Sequence, residues 1–385
     1  MSRKAAAISE DEAQAWPEPR ANHRLVGQGA AEETLLTAFR TERLPHAWLL
    51  TGPRGVGKAT LAYRFARFLL AQGAQDGLQI DGGQEAGLFG EAPLPQADPA
   101  DSLALDPDDR VFRRVAAGGH PDLVTVTRSL NPTSKRVRGE IVVDDVRAAT
   151  GFLRRTSSEG GWRICIVDAA DEMNPNAANA LLKVLEEPPE QALLLLLAHA
   201  PGRLLPTIRS RCRQLVLPPL SEATVLELLA DFAPELSPED ATALARLSEG
   251  SIGRALALAG EGGLGLYRQL VGLLESLPRL DVAKLHDFGD RLARDNSGTL
   301  FRTVGELLSG WIGRLILARA QGDNPLEILP GEARLIGRLG AGRSLASWLD
   351  LWDNLRRRFA QADGAALDRK QALIAAFLEI EVLAS

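Results

Sequence analysis

Cysteine is scarce: Cys165 and Cys212 are the only two in 385 residues. That is too few for a disulfide framework or a four-cysteine zinc site, and it points to a reducing, cytoplasmic setting. The chain also lacks a basic excess. Its 44 Lys and Arg against 50 Asp and Glu leave a formal charge of −6, so a surface that grips nucleic acid by itself is not expected. No apolar run approaches the roughly 18 residues of a membrane span, and the polar, acidic first twenty residues do not read as a secretory signal. Lysine is rare as well, at six positions: Lys4, Lys58, Lys135, Lys183, Lys284 and Lys370. Against so much arginine, a lysine inside a glycine-rich loop stands out.

What is present is enough apolar residue (45%) and length for two or three cored domains. Residues 1–22, rich in Ala, Glu and Pro, read as a mobile lead-in. Residues 23–217 alternate apolar strands with amphipathic helices, which predicts an α/β domain with a parallel sheet covered on both faces. Its strands are expected at 47–51, 122–126, 163–168 and 192–198, and its helices at about 30–43, 58–70, 143–156 and 176–186. Within it, 72–119 is crowded with Gly, Asp, Pro, Gln and Ala and reads as a long insertion. Within 218–275 short helices are expected at about 221–231, 239–248 and 252–259, and 276–385 is expected to be all helical. There Leu300, Val304, Leu307, Leu308, Trp311 and Leu315 form one stripe, widened by Phe301, Ile312 and Ile316. The added width leaves room for another chain. Leu345, Trp348, Leu349, Trp352, Leu355 and Phe359 form a second stripe.

Gly52-Pro53-Arg54-Gly55-Val56-Gly57-Lys58 fits G-x-x-x-x-G-K between a predicted strand and a predicted helix. Glycines let backbone N–H groups turn toward a phosphate, the helix start adds positive potential, and Lys58 would reach the outer phosphates. The next position breaks the pattern. Ala59 stands where a hydroxyl should bind Mg²⁺, and Thr60, one residue later, projects about 100° further round the helix. Asp168 ends its strand where a magnesium-associated carboxylate belongs, but Ala169 follows in place of a water-polarising glutamate. Asp171 and Glu172 read as solvated turn carboxylates. The reading is a degenerate phosphate cradle without its chemistry.

Four stretches carry a resemblance: Leu25-Val26-Gly27-Gln28, the loop at 52–60, the run Asn179-Ala180-Leu181-Leu182-Lys183-Val184-Leu185-Glu186-Glu187-Pro188-Pro189, and Ser210-Arg211-Cys212. Over about residues 22–260 the chain resembles the AAA+ clamp-loader subunits of bacterial DNA polymerase III, the delta-prime type in particular. The resemblance implies an ATPase-like domain (23–217), a helical lid (218–275) and a collar for oligomerisation (276–385). It implies that Arg211 is an arginine finger acting in trans on a neighbour's ATP site. A guanidinium suits that role, since it donates forked hydrogen bonds to phosphate oxygens. Motor subunits of the family place a sensor arginine where Gly253 stands here, with Arg254 one residue later. Their polar first sensor is replaced by Ala198 or His199, and His199 reads as a satisfied strand-end histidine. The family's cysteine-rich zinc module is absent, and neither Cys165 nor Cys212 reads as a ligand.

The expectation is therefore a non-motor subunit with Gly52, Pro53, Arg54, Gly55, Val56, Gly57, Lys58, Ala59, Thr60, Asp168 and Arg254 around a degenerate site. ATP is held weakly or not at all, Mg²⁺ is left open, and no zinc is expected. Partners are the gamma/tau and delta subunits in a heteropentamer, with the sliding clamp and primed DNA reached through the complex and no membrane. The chain would be part of a nucleotidyltransferase holoenzyme without turning over ATP alone. The alternative is an ATP-hydrolysing gamma/tau-like motor or a related AAA+ remodeller, which Lys58 and Asp168 favour and both alanines oppose. A small-molecule P-loop kinase would share the loop but not the 179–189 run or the helical tail.

Overall fold

A computed structural model describes residues 16–81, 101–133, 137–323, 326–364 and 368–384. The chain divides into two compact units, one of Met1–Val225 with Gly250–Gly253 and one of Leu226–Glu249 with Arg254–Ser385. In the first, five strands, β1 (Ala47–Thr51), β2 (Leu123–Val126), β3 (Arg163–Asp168), β4 (Ala192–Ala198) and β5 (Arg213–Val216), form one parallel sheet in the order β2-β3-β4-β1-β5.

The sheet is buried on both faces because its central strands are apolar through their middles: β4 is apolar at every position, β1 up to Thr51, and β3 between Arg163 and Asp168. In β4, Leu193, Leu195 and Leu197 point into one core with Trp48 and Leu50 of β1, against α1 (Gly29–Arg40) and α2 (Lys58–Asp81). Leu194, Leu196 and Ala198 point into the other with Ala47 and Leu49. There they meet α4 (Val143–Leu153), α5 (Pro175–Glu186) and α6 (Pro206–Arg209). Each buried leucine contributes roughly 1.5–3 kcal/mol, so β4 anchors both layers.

Three expectations change here. The 72–119 segment holds two helical stretches in its described parts: α2 runs on to Asp81, and α3 (Arg110–Ala116) is capped by Asp109, whose carboxylate accepts from the Val111 N–H at 2.6 Å. Leu103, Val111, Phe112 and Val115 are buried, and these widely spaced apolar residues suffice to dock it. Residues 82–100 lie outside the described part. So do residues 1–15 of the expected lead-in, but the rest of it is held: buried Arg67 of α2 donates to the carbonyls of Arg20 (2.9 Å) and Asn22 (2.8 Å). Its guanidinium also lies 4.3 Å from the centre of the Phe112 ring. The third change is β5, an unexpected strand, which completes one edge of the sheet.

The second unit is all helical in its described residues: most of α7 (Glu222–Phe232), α8 (Pro238–Leu247), α9 (Ile252–Gly260) from Arg254 onward, α10 (Gly263–Glu275), α11 (Val282–Arg294), α12 (Thr299–Gln321), α13 (Glu332–Gly340), α14 (Leu345–Gly364) and α15 (Arg369–Ala384). Helix α10 was not expected. Apart from half-buried Leu300, the stripe of α12 is buried together with its widening residues Phe301, Ile312 and Ile316, so the added width is used inside the unit rather than left for another chain. In α14 the second stripe buries Trp348, Leu355 and Phe359 but leaves Leu349 exposed. Buried Glu332 accepts from Tyr267 Oη, from the Arg314 guanidinium at 3.1 Å, and from the N–H groups of Ile328 (2.9 Å) and Leu329 (3.1 Å). Burial pushes its carboxyl up, but these bonds hold it below the ordinary range.

Candidate functional site

The phosphate loop leaves the end of β1 and enters α2 at Lys58, as the sequence pattern predicts. Leu197 of β4 is the register partner of both Leu50 and Asp168. Asp168 therefore stands two strands from the loop strand, about 10 Å across the sheet. Lys58 is buried, and its Nζ donates to the carbonyls of Gly52 (2.7 Å) and Pro53 (2.6 Å). Burial lowers its ammonium to about 8, while the nearby Asp168 and Asp171 oppose the fall. Asp168 is shifted the other way: burial raises its carboxyl, and the charges of Lys58 and Arg54 pull it back. The sequence-predicted pair is thus brought together, a partly desolvated cation and anion at the mouth of one sheet. Ala59 and Ala169 follow them with methyl groups. Thr60 is buried on α2.

The two turn carboxylates are not solvated as expected. Asp171 accepts from the backbone N–H groups of His199 (3.1 Å) and Ala200 (2.8 Å), fixing the end of β4. Glu172 lies 3.0 Å from Arg128 and 3.9 Å from Arg54 of the loop. The short turn Ala170–Glu172 aims both back at the sheet, and a structural use wins over a solvent-facing one. His199 is also not the satisfied histidine expected, because its Nδ1 is buried without a hydrogen bond among the described residues. Burial, then the Lys58 charge, lowers its imidazole to about 4, so the ring is neutral at physiological pH.

Residues 250–253 close on the loop from the other side. Ser251 Oγ donates to the Arg54 carbonyl at 2.7 Å, and the Gly253 N–H donates to the Gly55 carbonyl at 3.0 Å. Gly55 has φ +76°, and a Cβ there would sit 2.4 Å from Ser251 Oγ. A Cβ on Gly253 would sit 2.9 Å from the Gly55 Cα, so no arginine fits at 253 without displacing the loop. Arg254 falls in the second unit, where its guanidinium is 3.7 Å from Glu249. Buried Gln28, from the first matching stretch, donates from Nε2 to the carbonyls of Val56 and Pro218, both at 3.1 Å. These tethers were not foreseen; the sequence signals for them were Gln28 in the first matching stretch and the small residues Gly250, Ser251 and Gly253.

At the other pole, Arg211 lies between α6 and β5, flanked by buried Ile208 and Cys212. Its side chain is 36% exposed, with Nη1 donating to the Thr207 carbonyl (3.0 Å) and Nη2 meeting Glu186 Oε1 (2.9 Å). The anchors hold its backbone while its fork stays at the surface. Cys212 and Cys165 are buried thiols, each pushed up to about 12 by desolvation.

Residues 99–221 match the family described as DNA polymerase III, delta subunit. The DNA polymerase III subunit delta' of Pseudomonas aeruginosa is 37% identical over 238 residues, 62% of this chain and 63% of that protein. The chain resembles delta-prime subunits. The Escherichia coli subunit delta' is 33% identical over 226 residues, 59% of this chain and 58% of its own. Both matches span less than two thirds of the relative's length. Among solved structures, a DNA polymerase III gamma subunit-related protein from Thermotoga maritima aligns with 91% of this chain and 100% of its own at 18% identity, with a TM-score of 0.38.

Proposed function

We propose that the chain is a delta-prime-type, non-motor subunit of a DNA polymerase III clamp loader, working in DNA replication in the cytoplasm. It would hold nucleotide weakly or not at all and present Arg211 to the ATP site of an adjacent gamma/tau subunit. With gamma/tau and delta it would form a heteropentamer, meeting the sliding clamp and primed DNA through that assembly. In this reading residues 23–217 are the ATPase-like domain, 218–275 the lid and 276–385 the collar.

The observation that carries the reading is chemical. Lys58 and Asp168 share a site in which neither position 59 nor position 169 offers a side-chain oxygen to a metal or to water, while Arg211 faces outward. If ATP enters, Lys58 and the backbone N–H groups of 52 and 54–58 would hold its phosphates. A magnesium-binding hydroxyl is missing at 59, and no zinc is required. At the neighbour's site the Arg211 guanidinium would meet charge developing on the transferred phosphoryl group, which is worth roughly 10³–10⁵ in rate in related systems.

The motor reading, gamma/tau-like or a related remodeller, is favoured by Lys58 beside Asp168. The two readings separate on the purified chain mixed with gamma/tau and delta. The expected result is a defined heteromeric mass, with no ATP turnover by the chain alone. A monomeric mass after mixing, or turnover at a motor's rate by the isolated chain, would sink the proposal.

A further inference from the structure

Glu186 is the last residue of α5, where the helix macrodipole favours a cation and disfavours a carboxylate. Its own helix therefore does not explain its charge; the partner across the packed α5 and α6 does. Glu186 Oε1 meets Arg211 Nη2 at 2.9 Å while Arg211 Nη1 is held by the Thr207 carbonyl at 3.0 Å. The two contacts use one N–H from each end of the guanidinium fork, so further N–H groups remain for an incoming anion. With Ile208 and Cys212 buried on either side, the backbone is fixed, and Glu186 and Thr207 limit the rest of the side chain.

We infer that Glu186 is a positioning residue for Arg211, holding the guanidinium in one place at the surface before the neighbour's phosphate arrives. The inference rests on Arg211 being a finger in trans. A long, flexible side chain loses freedom when it docks; one already held loses less, and that saving appears in turnover rather than in substrate binding. The pair is half-exposed, so it acts through geometry and adds little to folding stability.

The test uses the complex assembled from full-length subunits, with DNA-stimulated ATP hydrolysis measured for wild type, Glu186→Ala, Glu186→Gln, Arg211→Ala and the Glu186→Ala/Arg211→Ala double variant. Glu186→Ala should lower kcat by about tenfold with KM for ATP and assembled mass unchanged. Glu186→Gln, which keeps an acceptor oxygen, should recover part of the loss. The double variant should be no slower than Arg211→Ala, because the carboxylate acts only through the guanidinium. Wild-type turnover by Glu186→Ala, a further loss on top of Arg211→Ala, or failure of Glu186→Ala to assemble would each overturn the role of Glu186 while leaving the finger standing. Wild-type turnover by Arg211→Ala would remove the finger itself and this role with it.

Discussion

The phosphate loop and the Ser-Arg-Cys corner lie in one α/β unit and treat their cations in opposite ways. Lys58 is buried and turned onto the carbonyls of Gly52 and Pro53, and its loop is tethered by Gln28, Ser251 and Gly253. Arg211 has a fixed backbone and an exposed fork held by one carboxylate and one carbonyl. The loop is satisfied from within, and the corner keeps donors for something outside. One fold can thus hold a phosphate-type loop rigid with bonds made inside the unit and still leave the donors of another cation at its surface.

The sharpest test of that contrast is Arg211→Ala. Turnover at the ATP site it serves should fall by roughly 10³-fold in the assembled complex, measured by DNA-stimulated phosphate release; an unchanged rate would place the corner outside the chemistry.

A smaller effect concerns the buried end. Lys58 titrates near 8 in the folded chain against 10.5 when unfolded, so between these values the unfolded chain binds more protons and stability rises with pH. Below about 8 the charged form is carried in both states and the contribution is flat. Wild type should therefore gain up to about 3 kcal/mol over Lys58→Met as pH rises through that window. Urea melts at pH 7.5 and 10 would read the difference, and parallel curves would mean the ammonium is not desolvated.

Gly55→Ala should cost roughly 2–3 kcal/mol, because the new methyl meets Ser251 Oγ at a left-handed φ. No loss in denaturant midpoint would show that the tether is loose. Ser251→Ala should cost about 1 kcal/mol, the net worth of its bond to the Arg54 carbonyl, again by urea melt.

Much of this arrangement was legible in the sequence where both faces of an element are buried. Strands β1, β3 and β4 were read to their ends because a strand packed on two sides carries a continuous apolar run, which polar residues such as Arg163 and Asp168 bound in β3. Strand β5 was not, since three of the four residues in Arg213-Gln214-Leu215-Val216 are exposed at the edge. Helix α10 carries Gly263, Gly265 and Gly272, which local propensity reads as breaks, and α3 is a short helix in loop-like composition. In the site, Lys58 and Asp168 belong to contiguous motifs. The bonds of Asp171 to the end of β4, and of Glu186 to Arg211, join residues far apart in sequence, and no local pattern announces them.

Arg67 has a consequence for where the folded unit begins. Its guanidinium is satisfied by the backbone of Arg20 and Asn22 and covered by Phe112, and burial lowers it to about 10. A truncation that starts the chain at residue 23 would strand that cation inside the protein with both carbonyls gone. The seven residues before 23 that look dispensable by composition are, to Arg67, the missing half of a buried site.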